Sequence, residues 1–411
     1  MFQEKYQYHK FFKTTIISAI YFFVMYLYMP FLSPYLSTLG WSESLKGVFF
    51  ALFSFAGIFF SIIAGNIADK IGRYKLIMFG IFIEILILIG YIFFQQIVML
   101  FILRIFACLA YSAIILGGQA RVNDDVENHR RGRINGLFHT VISITAIVAP
   151  LLGGFIADHY NFIRLFEISA IIMIITLIGL YIYDFFFYDD NHPHREKTKI
   201  TMADFNILSN IKSVFIYKEL RLAIFLGVVV NVAVPLITLV FPYVIIQQWG
   251  LSNAHLSIVI FLNAFAHIFQ VFFGYLSEKI GNAKAIFLGV SFEAICLLAM
   301  FFTNRFDILL IFVFLRSIGT SLWNVSVMNY MSDVGEAHNI EGRVLGNYNS
   351  VIRMFMVISF ILTGLLLVSL GKWIFLIYGA IALGGILFVR KSLLSTQEKI
   401  EEIIEKSPQE E

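Results

Sequence analysis

Charged side chains stand inside long apolar runs at Glu84, Arg104, Glu167, Glu293, Arg316 and Arg353, with His139 and His267 as further titratable groups. A charge at mid-bilayer costs about 2.5–3.5 kcal/mol on insertion scales, so each needs a partner or a task. Glu84 and Glu293 are candidates to take up and release a coupling proton, with Arg104 and Arg316 beside them. The competing readings are neutral helix packing, or a salt bridge from each acid to Arg104 or Arg316. Asn263, His267 and Gln270 are spaced by four and three residues, which puts them on one helical face. Together with Asn231, Trp323, Asn324 and Asn329, and with a Tyr21, Met25 and Tyr28 face, they are candidates to line a cavity for an amphipathic solute. A satisfied interhelical bond is the alternative for His267. Aromatic stripes also arise readily in a chain that is 17% aromatic.

Other chemistry is missing from the pattern. No nucleophile, base and acid are spaced for covalent catalysis. No Gly-x-x-x-x-Gly-Lys loop offers a nucleotide site. Cys108 and Cys296 lie in apolar runs without metal-ligand or disulfide spacing and read as small core side chains. His192 and His194 have no further ligand nearby and read as part of a solvated linker. The sequence therefore predicts neither an enzyme nor a metal or cofactor site.

The elements that must position these residues follow from composition. Of 411 residues, 59% are hydrophobic and 14% charged, and 45 are Phe. Soluble domains have about 45–50% apolar and about 25% charged residues. Mean hydropathy is +0.83. A net charge of +3, with basic residues scattered between apolar runs, disfavours nucleic-acid binding. About 20 apolar residues cross the hydrocarbon as a helix. Such stretches fall near 14–38, 47–68, 76–95, 98–120, 134–157, 163–187, 220–246, 254–277, 284–303, 306–330, 345–369 and 372–391. The sequence thus predicts an all-α integral membrane protein with twelve transmembrane helices in two six-helix bundles. The first run follows Lys5, Lys10 and Lys13, but it is too long for a signal core and is expected to stay as an uncleaved helix.

Orientation follows from Lys and Arg. With both termini in the cytoplasm, the 30 basic residues fall on cytoplasmic segments except Lys46, Arg164, Arg305 and Lys372 outside and Arg104, Arg316 and Arg353 within spans. The expected layout is a bundle over 1–187, a cytoplasmic linker over 188–219, a second bundle over 220–391 and a cytoplasmic tail over 392–411. The two bundles repeat. Pro34, Gly40, Gly65, Asp69, Glu84, Arg104, Gly132, Arg133 and Gly136 return as Pro242, Gly250, Gly274, Glu278, Glu293, Arg316, Gly342, Arg343 and Gly346, at offsets of 208 to 212. Parallel six-helix repeats are the plan of transporters that bind substrate at the interface between halves.

Between the second and third spans stands Gly65-Asn-Ile-Ala-Asp69-Lys-Ile-Gly72-Arg73-Tyr-Lys75. Its glycines permit a tight turn and close helix approach. An anion at Asp69, on the C-terminal end of its helix, runs against the helix dipole and should seek Arg73 or another helix's N-terminus. Such a residue suits a conformational latch. The string resembles the loop signature of the major facilitator superfamily. A weaker echo follows at Gly274, Glu278 and Gly281, with Asn282 in the arginine position. The resemblance spans nearly the whole chain and implies two bundles that rock about a central cavity. In the fifth span, Thr145 to Gly154 is similar to the family's antiporter signature: Pro150, Gly153 and Gly154 match, and Thr145 and Ala149 replace glycines. These small residues let the helix bend and pack on its mirror helix in the second half. Arg104 sits like the family's fourth-span arginine but lacks the Gln and Gly that follow it there.

The resemblance implies secondary active transport of small organic solutes, read as proton-coupled efflux of drug-like or sugar-like compounds, by a monomer in the cell membrane. Its partners are then a small-molecule substrate, protons and the lipid bilayer. Proton-symport uptake and lipid flipping are the alternatives on the same fold. A receptor on this fold would tolerate loss of the latch string, which is intact.

Overall fold

The computed structural model describes residues 2–123, 128–187, 218–337 and 341–406, with the side chains of 61–71 and of several segment ends outside the description. The expected linker over 188–219 thus lies outside it up to residue 217, as does 407–411 of the tail. Every regular element among the described residues is helical. Among the described residues, twelve helical stretches are long and apolar enough to cross a membrane. Large apolar side chains point outward from them, with Val271 84%, Phe388 82% and Phe302 75% exposed. Hydrocarbon solvates such faces and water does not.

The chain folds as two compact units, Met1–Phe205 with Ile245–Phe261 and Asn206–Val244 with Leu262–Glu411. In the first unit, α1 (Phe2–Tyr28) continues through a tight turn at Met29–Phe31, where Pro30 starts the turn, into α2 (Leu32–Thr38). Then come α3 (Glu43–Ile71), α4 (Arg73–Phe93), α5 (Ile97–Asn123), α6 (Asn128–His159) and α7 (Phe162–Phe187). Helix α4 packs on α5 and α7, α3 packs on α5, and α1 packs on α5, α6 and α7. Glycines set the closest approach: a Cβ at Gly80 or Gly90 would come within 2.7 Å of Ile114 or Leu103 on α5.

The span expected over 220–246 is present as one membrane-long stretch, Glu219–Val240, but it is not a regular α-helix after α8 (Lys218–Asn231). It turns at 232–234 and winds through wide, π-helical turns at Leu236–Val240 and Tyr243–Gln248. Pro235 and Pro242 explain the change, because each lacks an N–H and crowds the carbonyl four residues back. The first unit also holds most of α9 (Asn253–Phe265). The next expected span is present as Asn253–Ile280, in which a tight 3-10 turn at Ala266–Phe269 joins α9 to α10 (Gln270–Ile280). The second unit continues with α11 (Asn282–Phe302), α12 (Phe306–Ala337), α13 (Glu341–Leu370) and α14 (Trp373–Lys406). Helix α11 packs on α12 and α14, and α8 packs on α13 and α14.

Candidate functional site

Each unit buries one acid and one guanidinium at positions related by the repeat, and satisfies them differently. In the second unit, Glu293 on α11 and Arg316 on α12 form an ion pair of 2.9 Å between Arg316 Nη1 and Glu293 Oε1, both nearly inaccessible. Trp323 Nε1 donates to Glu293 Oε2 at 2.9 Å. Arg316 Nη2 donates to Asn263 Oδ1 at 2.8 Å, and Ser317 Oγ donates to the same oxygen at 2.9 Å. Direct backbone contact makes this reach possible. A Cβ at Gly289 would come within 2.7 Å of Trp323 N, and one at Gly319 within 2.8 Å of Glu293 N. His267 sits in the 3-10 turn, with Ser321 Oγ 2.9 Å and Gln270 Nε2 3.2 Å from its Nδ1. Asn263, His267 and Gln270 therefore join one polar row along α12.

In the first unit, Glu84 on α4 is buried and its Oε1 accepts a hydrogen bond from Tyr28 Oη at 2.7 Å. Its Oε2 is buried with no hydrogen-bond partner among the described residues. Tyr28, Tyr35, Tyr91 and Phe166 surround the bond, with ring centroids 5.0 to 6.2 Å apart. Arg104 on α5 is buried, and its guanidinium lies over the rings of Phe49, Phe50 and Phe53 at 5.2, 5.0 and 4.6 Å. Its Nε has no hydrogen-bond partner among the described residues. Aromatic faces attract a desolvated cation, so three of them make this an acceptable place for one.

The other cavity candidates are scattered. Tyr21 and Met25 are buried in the first unit. Asn231 Nδ2 turns back to Gly227 O of its own helix at 2.7 Å. Trp323 is buried as a donor to Glu293, and Asn324 is half-buried beside it. A cavity of about 510 Å³ lies between α1, α6 and α7 in the first unit. Ile16, Phe23, Val141, Thr145 and Ile175 line it, and none of the predicted cavity residues does. Among the described residues no group of His, Cys, Asp and Glu could hold a metal ion.

At the loop motif, Gly72 and its repeat mate Gly281 share a positive φ of 89° between two helices, a conformation that costs other residues strain. Arg73 Nη1 donates to Ala120 O, near the C-terminal end of α5, at 2.7 Å, where a cation meets the helix dipole favourably. Lys75 is exposed. Gly65 and Asp69 lie on α3 within the segment whose side chains are outside the description. In the repeat, Glu278 is exposed and Gly274 packs loosely against Val325. Asn282, in the arginine position, accepts from Ser277 and donates to Asp333 Oδ2 at 2.7 Å. Gln397 of α14 accepts from Ala283 N.

On α6, Ala149 and Pro150 are buried. A Cβ at Gly153 would sit 2.1 Å from Leu27 O, and one at Gly154 2.6 Å from Ser257 Cβ. The close packing expected of this stretch is present, but its partners are α1 and α9. Neither is the repeat mate of α6.

Two polar clusters are not announced by the motifs. Asp158, at the end of α6, accepts from Asn253 N at 2.9 Å, Asn253 Nδ2 at 2.8 Å and Ala254 N at 2.7 Å, and so caps α9. Lys46 is fully buried and bonds Glu43 and Ser37, each at 2.5 Å, while Gln247 Nε2 reaches Glu43 at 2.8 Å and Ser37 at 3.0 Å. The signal for Lys46 is its place as an exception to the positive-inside pattern. Asp158 has no such signal, because its partners lie 95 and 96 residues away.

Comparison with known proteins places these features in a wider setting. The sequence model described as Major Facilitator Superfamily matches residues 14–268 and 224–409. The quinolone resistance protein NorA of Staphylococcus aureus (strain MSSA476) is 21% identical over 337 residues, which cover 79% of this chain and 82% of that protein. A multi-drug resistance efflux pump PmrA homolog of Lactococcus lactis subsp. lactis is 24% identical over 314 residues, covering 75% and 76%. Among solved structures, the nucleoside transporter NupG superposes with a TM-score of 0.78 at 11% identity, covering 93% of this chain and 99% of that one. The peptide transporter POT in complex with sulfate superposes with a TM-score of 0.74 at 16% identity, covering 96% and 95%.

Proposed function

The chain belongs to the Major Facilitator Superfamily and is a multi-pass membrane transporter, and from that premise we propose that it exports small organic solutes of drug-like character in exchange for protons. The observation that carries this reading is the likeness, over 79% and 75% of the chain, to relatives named for quinolone resistance and multidrug efflux. Two features agree with it. The fifth-span Pro150, Gly153 and Gly154 retain the antiporter-like pattern, and the two glycines pack without space for a side chain. Glu84 and Glu293, one in each unit, are buried acids and so the candidates to carry the coupling proton.

The mechanism follows from electrostatics and packing. Moving a bare carboxylate through hydrocarbon is costly, and a proton removes that cost. An acid that is neutral in one conformation and ionised in the other therefore ties the conformational step to proton movement. The glycine contacts on α6 let helices slide as rigid bodies, because no side chain interlocks there. Gly65, Asp69, Gly72, Arg73 and Lys75, with Gly274, Glu278 and Gly281, are the proposed latch, made in one conformation and broken in the other. Asn231, Asn263, His267 and Asn324 are proposed to face solute, and Tyr21, Tyr28 and Trp323 to contribute aromatic surface. Both termini are proposed to lie in the cytoplasm of a monomer in the cell membrane.

Inside-out membrane vesicles test the direction. With an inward-directed proton gradient generated by respiration, they should accumulate a fluorescent quinolone such as norfloxacin. They should release it when nigericin collapses ΔpH. Accumulation only in right-side-out vesicles would indicate uptake and refute export.

A further inference from the structure

The two buried acid–guanidinium couples are repeats of one another in sequence, yet the structure holds them in different states. Glu293 has an N–H donor on each carboxylate oxygen, one from the Arg316 cation and one from the Trp323 indole. Neither donor can accept a hydrogen bond. A proton on Glu293 would displace one of them and leave the Arg316 charge buried without its counterion. Glu84 is the opposite case. One oxygen accepts from Tyr28, and the other is buried with no donor among the described residues. As an anion it would hold an unsatisfied charged oxygen away from water, and as a neutral acid it would not. The guanidinium that should compensate it is not on it: Arg104 rests over Phe49, Phe50 and Phe53 with its Nε unbonded.

We infer that Glu84 is the residue that carries the coupling proton, that Arg104 moves from its aromatic seat to Glu84 when the proton leaves, and that Glu293 is a permanently ionised strut. This rests on the proton-coupled reading above and names its proton site. The step balances simply. The Glu84 O–H bond breaks, the proton passes to water, and the carboxylate left behind pairs with Arg104, as Glu293 already pairs with Arg316. When a proton returns, the ion pair opens and the guanidinium regains its three rings.

The surroundings of Glu84 permit this exchange. The titratable and charged groups near it are Tyr21 and Tyr28 on α1, Tyr91 on α4 itself, and Arg104 and Cys108 on α5. Arg104 is the cation among them. Helix α7 faces Tyr28 and Tyr91 with Phe166, and its Arg164 and Glu167 pair with each other at 2.6 Å on the surface. On α3, Glu43 Oε1 takes the Lys46 cation at 2.5 Å and a bond from Gln247, while its Oε2, like that of Glu84, is buried with no hydrogen-bond partner among the described residues. The direct ion pair with Lys46 holds Glu43 ionised, which leaves Glu84 as the buried acid in this group without a cation in contact.

Infrared difference spectroscopy on the purified transporter in nanodiscs tests the assignment without needing a substrate. Titrating the wild type from acid to alkaline pH should abolish one protonated carboxylic-acid C=O band. Glu84→Gln should lose that band, and Glu293→Gln should keep it. If Glu84→Gln does not fold, Glu84→Asp serves instead, and the band should shift in frequency. A band that persists unchanged in Glu84→Gln or Glu84→Asp, or that vanishes in Glu293→Gln alone, would overturn the assignment. In vesicles, Glu84→Gln should also lose ΔpH-driven norfloxacin accumulation. Absence of such accumulation in the wild type would count against proton-coupled export, while the infrared band would still decide which acid titrates.

Discussion

Replacing Arg316 by Gln should destabilise the second unit far more than the loss of its hydrogen bonds alone would suggest. The change removes the 2.9 Å ion pair to Glu293 and the 2.8 Å bond to Asn263. Asn263 keeps Ser317, and Glu293 keeps Trp323. What remains is a buried carboxylate with one donor and no cation. Breaking a buried ion pair from one side costs about 3–5 kcal/mol. Interhelical hydrogen bonds inside membranes average only about 0.6 kcal/mol, so bond loss alone predicts about 1 kcal/mol. For a unit of this size the two cases correspond to a fall in apparent Tm of about 10 °C against about 3 °C. The assay is thermal unfolding followed by tryptophan fluorescence in detergent, with size-exclusion recovery as a second readout. The double variant Glu293→Leu, Arg316→Met removes both charges and should recover most of the loss, because no uncompensated charge stays behind. A single variant that melts within about 3 °C of wild type, or a double variant no better than the single, would refute the argument.

Two further outcomes follow from the packing of α6. Gly153→Ala places a methyl group against Leu27 O, where there is no room for one. Overpacking of this kind costs about 1–3 kcal/mol, and the variant should show a lower apparent Tm and slower norfloxacin transport, whereas Gly179→Ala, at an open position, should show neither. Asp158→Ala removes the cap from α9, worth about 1 kcal/mol. A cysteine introduced at Ser257, buried against Gly154, should then react with a maleimide about fivefold faster, and an unchanged rate would show that the cap does not hold this segment closed.

The helices are the most legible part of the sequence, because twenty apolar residues in a row leave a chain little choice but to cross the bilayer as a helix. The narrow range of repeat offsets likewise pairs Glu84 with Glu293 and Arg104 with Arg316. It cannot say that one couple closes into an ion pair and the other does not. That difference depends on Trp323, Asn263 and Tyr28, which reach the acids from other helices. The departures from regular α-helix in the seventh and eighth spans are hidden for different reasons. Pro235 and Pro242 are local signals that an otherwise continuous apolar run obscures. The turn at Ala266–Phe269 contains neither Pro nor Gly, and there the contacts of His267 with Ser321 and Gln270 accompany a geometry that local propensity would not choose. The fifth-span glycines announce close packing but not a partner, since a gap left by a missing side chain does not name what fills it.

The most direct test of proton-coupled export uses purified protein in liposomes containing a pH-sensitive dye, with a quinolone added under an imposed proton gradient and both fluxes recorded. Export by exchange predicts proton movement opposite in sign to quinolone movement, in a fixed ratio, and absent from protein-free liposomes. Quinolone movement with no proton flux, or with protons moving in the same direction, would contradict it.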